Sequence, residues 1–195
     1  MNLPNKLTVL RICLIPVLLV FLLFPILPET PSRILALVIF AVASYTDHLD
    51  GKIARKYNLV TDFVKFLDPV ADKLLVIGAL LGLLVLNAPN VMLNRVTACV
   101  TFIVLLRELA ITSIRMVISD KKSAVMPANW LGKVKTVTQI VCVIVMLAEP
   151  LLTKGTPLDG LFVFSYITLA AMGIMTLWSG LNYLKVYFPL LDPKR

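Results

Sequence analysis

Six stretches of this chain, about 7–27, 33–56, 60–86, 93–118, 133–150 and 158–188, are dominated by apolar side chains. Each approaches or exceeds the roughly 20 helical residues needed to cross a bilayer. A helix satisfies its backbone hydrogen bonds internally, as lipid requires. The composition agrees: of 195 residues, 59% are hydrophobic and 15% charged, and a water-soluble domain of that make-up would expose too much apolar surface. The expected fold is all-α, an integral membrane protein of six transmembrane helices forming a single domain over residues 1–195. The first segment follows Met1-Asn2-Leu3-Pro4-Asn5, carries Arg11 and lacks a small-residue cleavage site, so a retained anchor is expected.

The punctuation fits a helical bundle. Pro25, Pro28 and Pro31 separate the first two helices, Asn87, Pro89 and Asn90 the third and fourth, and Pro150, Gly155 and Pro157 the last two. Cys13, Cys99 and Cys142 are odd in number and far apart within apolar runs, which predicts buried thiols rather than a disulfide or a metal site.

A net charge of +8 would suggest nucleic acid in a soluble protein. Here its distribution reads differently, and no nucleic-acid partner is expected. Of 19 Lys and Arg, 14 fall on one side of the membrane, Arg33, Arg95 and Lys154 lie opposite, and Lys73 and Arg107 sit inside segments. The positive-inside rule then puts both termini in the cytoplasm.

The region from Asp47 to Lys73 is the exception to this apolar pattern, with five acidic and five basic residues between strongly apolar flanks. Charge there is costly unless paired or bound. Asp47 and Asp50 are three apart, and Asp68 and Asp72 four apart, so each pair shares a helix face. If the two helices turn back near Tyr57–Val60, positions reflect about the turn: the midpoint of 50 and 68 is 59, and that of 47 and 72 is 59.5. All four carboxylates then sit at one depth, about 13–19 Å from the turn. Four like charges at one level in a poorly hydrated site need cations. Oxygen-only ligands favour hard ions such as Mg²⁺ or Mn²⁺, and four carboxylates have the capacity to bridge two of them. The alternative pairs the acids with Lys52, Arg55, Lys65 and Lys73 as a solvated loop. Gly51 and Ala54 favour the ligand site, because glycine costs a helix about 1 kcal/mol relative to alanine and the small residues leave a slot beside the carboxylates. His48 is read as a spacer, since adjacent helical residues diverge by about 100°.

The run Asp47-His48-Leu49-Asp50-Gly51-Lys52-Ile53-Ala54-Arg55, followed by Asp68-Pro69-Val70-Ala71-Asp72, resembles the CDP-alcohol phosphotransferase pattern D-x-x-D-G-x-x-A-R-x8-G-x-x-x-D-x-x-x-D, and matches seven of its eight fixed positions. The departure is Val64, where the pattern has glycine; a side chain there narrows the pocket or shifts its backbone. The resemblance implies that Asp47, Asp50, Asp68 and Asp72 bind two divalent ions that grip the pyrophosphate of a CDP-linked lipid. It implies further that Asp72 acts as general base, and that Gly51, Ala54 and Arg55 line the CDP site.

Arg107-Glu108, Arg115, Lys133 and Lys135 could together form a positive pocket, suited to an alcohol that already carries a phosphate. The competing reading makes Arg115, Lys133 and Lys135 positive-inside anchors and pairs Arg107 with Glu108. A longer likeness covers nearly the whole chain. It comprises Leu3-Pro4-Asn5-Lys6-Leu7-Thr8 with Arg11, Arg107-Glu108 with Ser113 and Arg115, Gly132-Lys133-Val134-Lys135-Thr136 with Gln139, and Leu177-Trp178-Ser179 with Tyr183. These are similar to the bacterial branch of the family that makes phosphatidylglycerophosphate. That likeness implies CDP-diacylglycerol and sn-glycerol 3-phosphate as substrates, membrane lipid around a six-helix homodimer, a bacterial inner membrane and a cavity facing the cytoplasm. Competing expectations are another enzyme of the family, with a cardiolipin-type or inositol-phosphate acceptor, a divalent-cation transporter, and a non-catalytic scaffold. The transporter would want a polar path through the bilayer, yet no second acidic cluster appears on the outer side.

Overall fold

The computed structural model describes residues 3–57, 62–120 and 130–187, with side chains at 5–46, 67, 69–116 and 130–187. The described residues form six helices and no strand: α1 (Leu3–Leu23), α2 (Glu29–Tyr57), α3 (Asp62–Leu86), α4 (Val91–Asp120), α5 (Trp130–Leu152) and α6 (Val163–Tyr187). Five of them, all but α2, are long and apolar enough to cross a membrane, which makes this a multi-pass membrane protein. α2 has 29 residues, about 43 Å of helix. Its apolar stretch is shortened by Glu29 and Arg33 at one end and by Asp47, Asp50, Lys52, Arg55 and Lys56 at the other.

α1 packs on both α2 and α3, α6 packs on α4 and α5, and α2 and α3 meet α5 to join the two halves. The α1–α3 contact is close because Gly82 has no side chain: a Cβ there would fall 2.6 Å from Leu22 Cδ1. One continuous core, including Leu18, Phe40, Leu80, Leu83, Met146 and Leu169, runs through the bundle.

The short connections 24–28, 87–90 and 153–162 lie at one end, tied there by buried polar groups. Pro150 sits inside α5 rather than ending it. Proline has no N–H to offer the carbonyl four residues earlier, and the freed Met146 carbonyl instead accepts from Arg33 Nη1 at 3.4 Å. Arg33, expected at the outer end of the second helix, is a buried residue of α2 whose Nη2 also donates to Asn87 Oδ1 at 2.7 Å, while its Nε pairs with Glu29. Glu149 is likewise inside α5 and caps α6, accepting from the Phe164 and Ser165 backbone N–H groups at 2.9 and 2.7 Å. Those donors are the orphans every helix N-terminus leaves. In the connection before α6, Gly155 and Gly160 adopt left-handed φ values of 76°, which glycine accepts without steric cost.

The three cysteines are free. Only Cys142 is buried; Cys13 and Cys99 face outward, against the expectation of buried thiols. An apolar run does not distinguish core from lipid-facing positions, because lipid tails are as apolar as the core.

Candidate active site

Asp47 and Asp50 lie in the last third of α2, and Asp68 and Asp72 in the first half of α3. α2 is described as far as Tyr57 and α3 from Asp62 onward. Residues 58–61, where the turn and the equal-depth expectation fall, and the side chains of Asp47, Asp50, Ala54, Arg55, Val64 and Asp68, together with the surroundings of Gly51, lie outside the described residues. Pro69, between the two α3 aspartates, removes the N–H that would bond the Lys65 carbonyl.

Asp72 is described. It is half-buried, next to the fully buried Ala71, and lies within electrostatic range of Lys135 on α5. An aspartate of the α2–α3 pattern thus acts on one of the expected acceptor cations, although 63 residues separate Asp72 from Lys135 in the chain. Among the described residues no group of three or more metal-ligating side chains is gathered, since three of the four aspartates have side chains outside them.

The cations are organised around Glu108. Its Oε1 accepts from Lys135 Nζ and from Arg107 Nη1, the latter at 3.1 Å. Side-chain exposure is 9% for Glu108, 8% for Lys135 and 14% for Arg107. Lys73, adjacent to Asp72, donates to Thr112 Oγ1, and Thr112 in turn donates to the Glu108 carbonyl at 2.7 Å. Lys73 also acts electrostatically on Glu108. Arg107 runs against α6 where Gly180 leaves its backbone bare, at 3.1 Å from Arg107 Cγ to the position a Cβ would take. Three cations and two carboxylates from α3, α4 and α5 thus form one recessed network, able to hold an anion beside a carboxylate that can take a proton.

Arg115 and Lys133 stand apart from this network. Arg115 is exposed, donates through Nε to the Tyr183 hydroxyl at 3.3 Å and lies 5.8 Å from that ring's centroid. Tyr183 in turn packs against Tyr187, with centroids 4.3 Å apart. Lys133 is exposed on the first turns of α5. Helical phase accounts for Lys133: two residues before the inward-facing Lys135, it points about 200° away. The network also contains members the sequence did not single out, Lys73 with Thr112, and Gly180. The available signal was a lysine placed between Asp72 and a long apolar run. Arg11, counted with the cytoplasmic charge, is fully buried in α1.

A polytopic helical protein whose ionisable side chains are recessed between membrane-spanning helices belongs to a class in which such residues mark functional sites. The family model for CDP-alcohol phosphatidyltransferase matches residues 1–178, and the chain belongs to that family. It is 37% identical over 183 residues to a probable phosphatidylglycerophosphate synthase of Mycobacterium tuberculosis, covering 93% of this chain and 79% of that one. It is also 37% identical over 194 residues to the CDP-diacylglycerol–glycerol-3-phosphate 3-phosphatidyltransferase of Bacillus subtilis, with 93% of each chain covered. The Pseudomonas fluorescens protein of the same name is 37% identical over 194 residues, with 98% of this chain and 92% of the relative covered.

Proposed function

We propose that this chain transfers the phosphatidyl group of CDP-diacylglycerol to sn-glycerol 3-phosphate, giving phosphatidylglycerophosphate and CMP. The observation that carries the reading is the recessed Glu108–Lys135–Arg107 cluster, to which Lys73, the neighbour of Asp72, is linked through Thr112, in a chain whose relatives are named for this reaction. A phosphorylated acceptor needs cations close to the group that deprotonates its hydroxyl. A neutral alcohol would have no use for them.

The residues divide the work. Lys135 and Arg107, with Lys133 and Arg115 nearer the rim, hold the acceptor phosphate. Asp72 takes the proton as the acceptor oxygen bonds to the lipid-side phosphorus, and the phosphorus–oxygen bond to CMP breaks with its electron pair leaving on CMP. Gly51, Ala54 and Arg55 line the CDP site. The donor set suits divalent metal: Asp47, Asp50, Asp68 and Asp72 supply only carboxylate oxygens from two successive helices, a hard set. Two Mg²⁺ or Mn²⁺ ions held there would neutralise pyrophosphate charge.

The excess of Lys and Arg on one side supports an active site that faces the cytoplasm of a bacterial inner membrane, with a homodimer of single-domain chains as the proposed working unit. Purified protein given CDP-diacylglycerol, sn-glycerol 3-phosphate and Mg²⁺ or Mn²⁺ should release CMP only when acceptor and metal are both present. Absence of metal-dependent release would refute the assignment, and a preference for inositol phosphate or phosphatidylglycerol as acceptor would move the chain to another branch of the family.

A further inference from the structure

We infer that Glu108 is a positioning residue for the acceptor's phosphate, one whose Oε1 gathers Arg107 and Lys135 to a single point. The inference rests on the reading that these two cations face a phosphorylated acceptor. Arg107 reaches the oxygen from the same helix and Lys135 from α5. All three groups are recessed, and Arg107 and Lys135 act on one another as like charges. Two cations brought together out of water repel and lose hydration. Without an anion between them, the more flexible lysine would extend towards solvent.

Glu108 does not saturate its partners. Arg107 Nε is buried with no hydrogen-bond acceptor among the described residues, and an ammonium has three donors, of which Glu108 takes one from Lys135. Gly180 confines the Arg107 stem from the α6 side, so the Glu108 oxygen and bare α6 backbone together fix where the guanidinium lies. An oxyanion entering beside Asp72 would meet cations already in place, with donors to spare.

A plain structural pair tying α4 to α5 predicts something different, and the two are separated by kinetics and binding. Glu108→Gln keeps the shape and the accepting oxygen while removing the charge. The KM for sn-glycerol 3-phosphate should rise about tenfold with kcat and the KM for CDP-diacylglycerol nearly unchanged. Equilibrium dialysis of labelled sn-glycerol 3-phosphate against the purified protein should show a matching rise in Kd. In a Lys135→Met background, Glu108→Gln should add clearly less than it does alone, since the carboxylate then has only Arg107 left to position. An unaltered acceptor KM, or an equal effect in both backgrounds, overturns the positioning role. If Glu108→Gln fails to fold, Glu108→Asp carries the test: it keeps the charge but withdraws the oxygen by about 1.5 Å, and an unchanged acceptor KM again overturns the role. Wild-type protein that neither binds nor uses sn-glycerol 3-phosphate overturns the functional reading as well, whereas wild-type binding matched by Glu108→Gln overturns this inference alone.

Discussion

Lys135 of α5 donates to the Glu108 carboxylate of α4, and the two side chains are 8% and 9% exposed. The pair links α4 to α5 at the level where Gly180 of α6 admits Arg107. It also sets Lys135 within electrostatic range of Asp72. Expectations for individual residues follow from that arrangement.

Asp72→Asn should abolish turnover while leaving CDP-lipid binding detectable. The amide has no basic oxygen to take the acceptor's proton, and general-base loss costs about 10²–10⁴ in rate. CMP release read beside binding of labelled CDP-diacylglycerol checks this, and near wild-type turnover would remove Asp72 as the base.

Lys135 and Arg115 should separate in their effects. Lys135→Met removes a cation from the buried cluster and should raise the acceptor KM at least about tenfold. Arg115 is exposed and engaged with Tyr183, and a solvated charge contributes about 1 kcal/mol or less. Arg115→Ala should therefore raise that KM by less than about fivefold. The reverse ranking, measured with sn-glycerol 3-phosphate as the varied substrate, would place the phosphate at the rim.

Val64→Gly should maintain or raise activity, because it restores the glycine that the family pattern has at this position. Initial rates at saturating acceptor are the measure. A large loss would mean that the pocket is built around valine.

Gly82 and Gly132 offer a contrast in stability. A Cβ at Gly82 would lie 2.6 and 2.7 Å from Leu22 Cδ1 and Cβ, whereas one at Gly132 meets nothing within 4 Å. Gly82→Ala should destabilise by about 1–3 kcal/mol through overpacking of α1 on α3. Gly132→Ala should be neutral or gain up to about 1 kcal/mol from helix propensity. Thermal unfolding of the detergent-solubilised protein should lower Tm for the first variant only.

Much of the helix plan was legible because long apolar runs have one structural solution in lipid. The expected and observed ends differ by only a few residues: 33–56 against Glu29–Tyr57, and 133–150 against Trp130–Leu152. Pro150 was misleading for a physical reason: sequence shows a missing N–H, but not that Arg33, 113 residues away in the chain, supplies a donor to the freed carbonyl. Cys13 and Cys99 show the same limit, since lipid and core select the same side chains.

The sequence by itself determined the six helices, the membrane setting and the spacing of the aspartate pairs along α2 and α3. Those depend on local periodicity and on distance along the chain. Only the tertiary structure decided which cations cluster: Lys135 and Arg107 are drawn together by one Glu108 oxygen, while Arg115 is turned to Tyr183 and Lys133 stays exposed. Spacing places a charge on a helix face. Which face meets which is set by how α3, α4, α5 and α6 pack, and there a buried cation needs a counter-charge from a neighbouring helix.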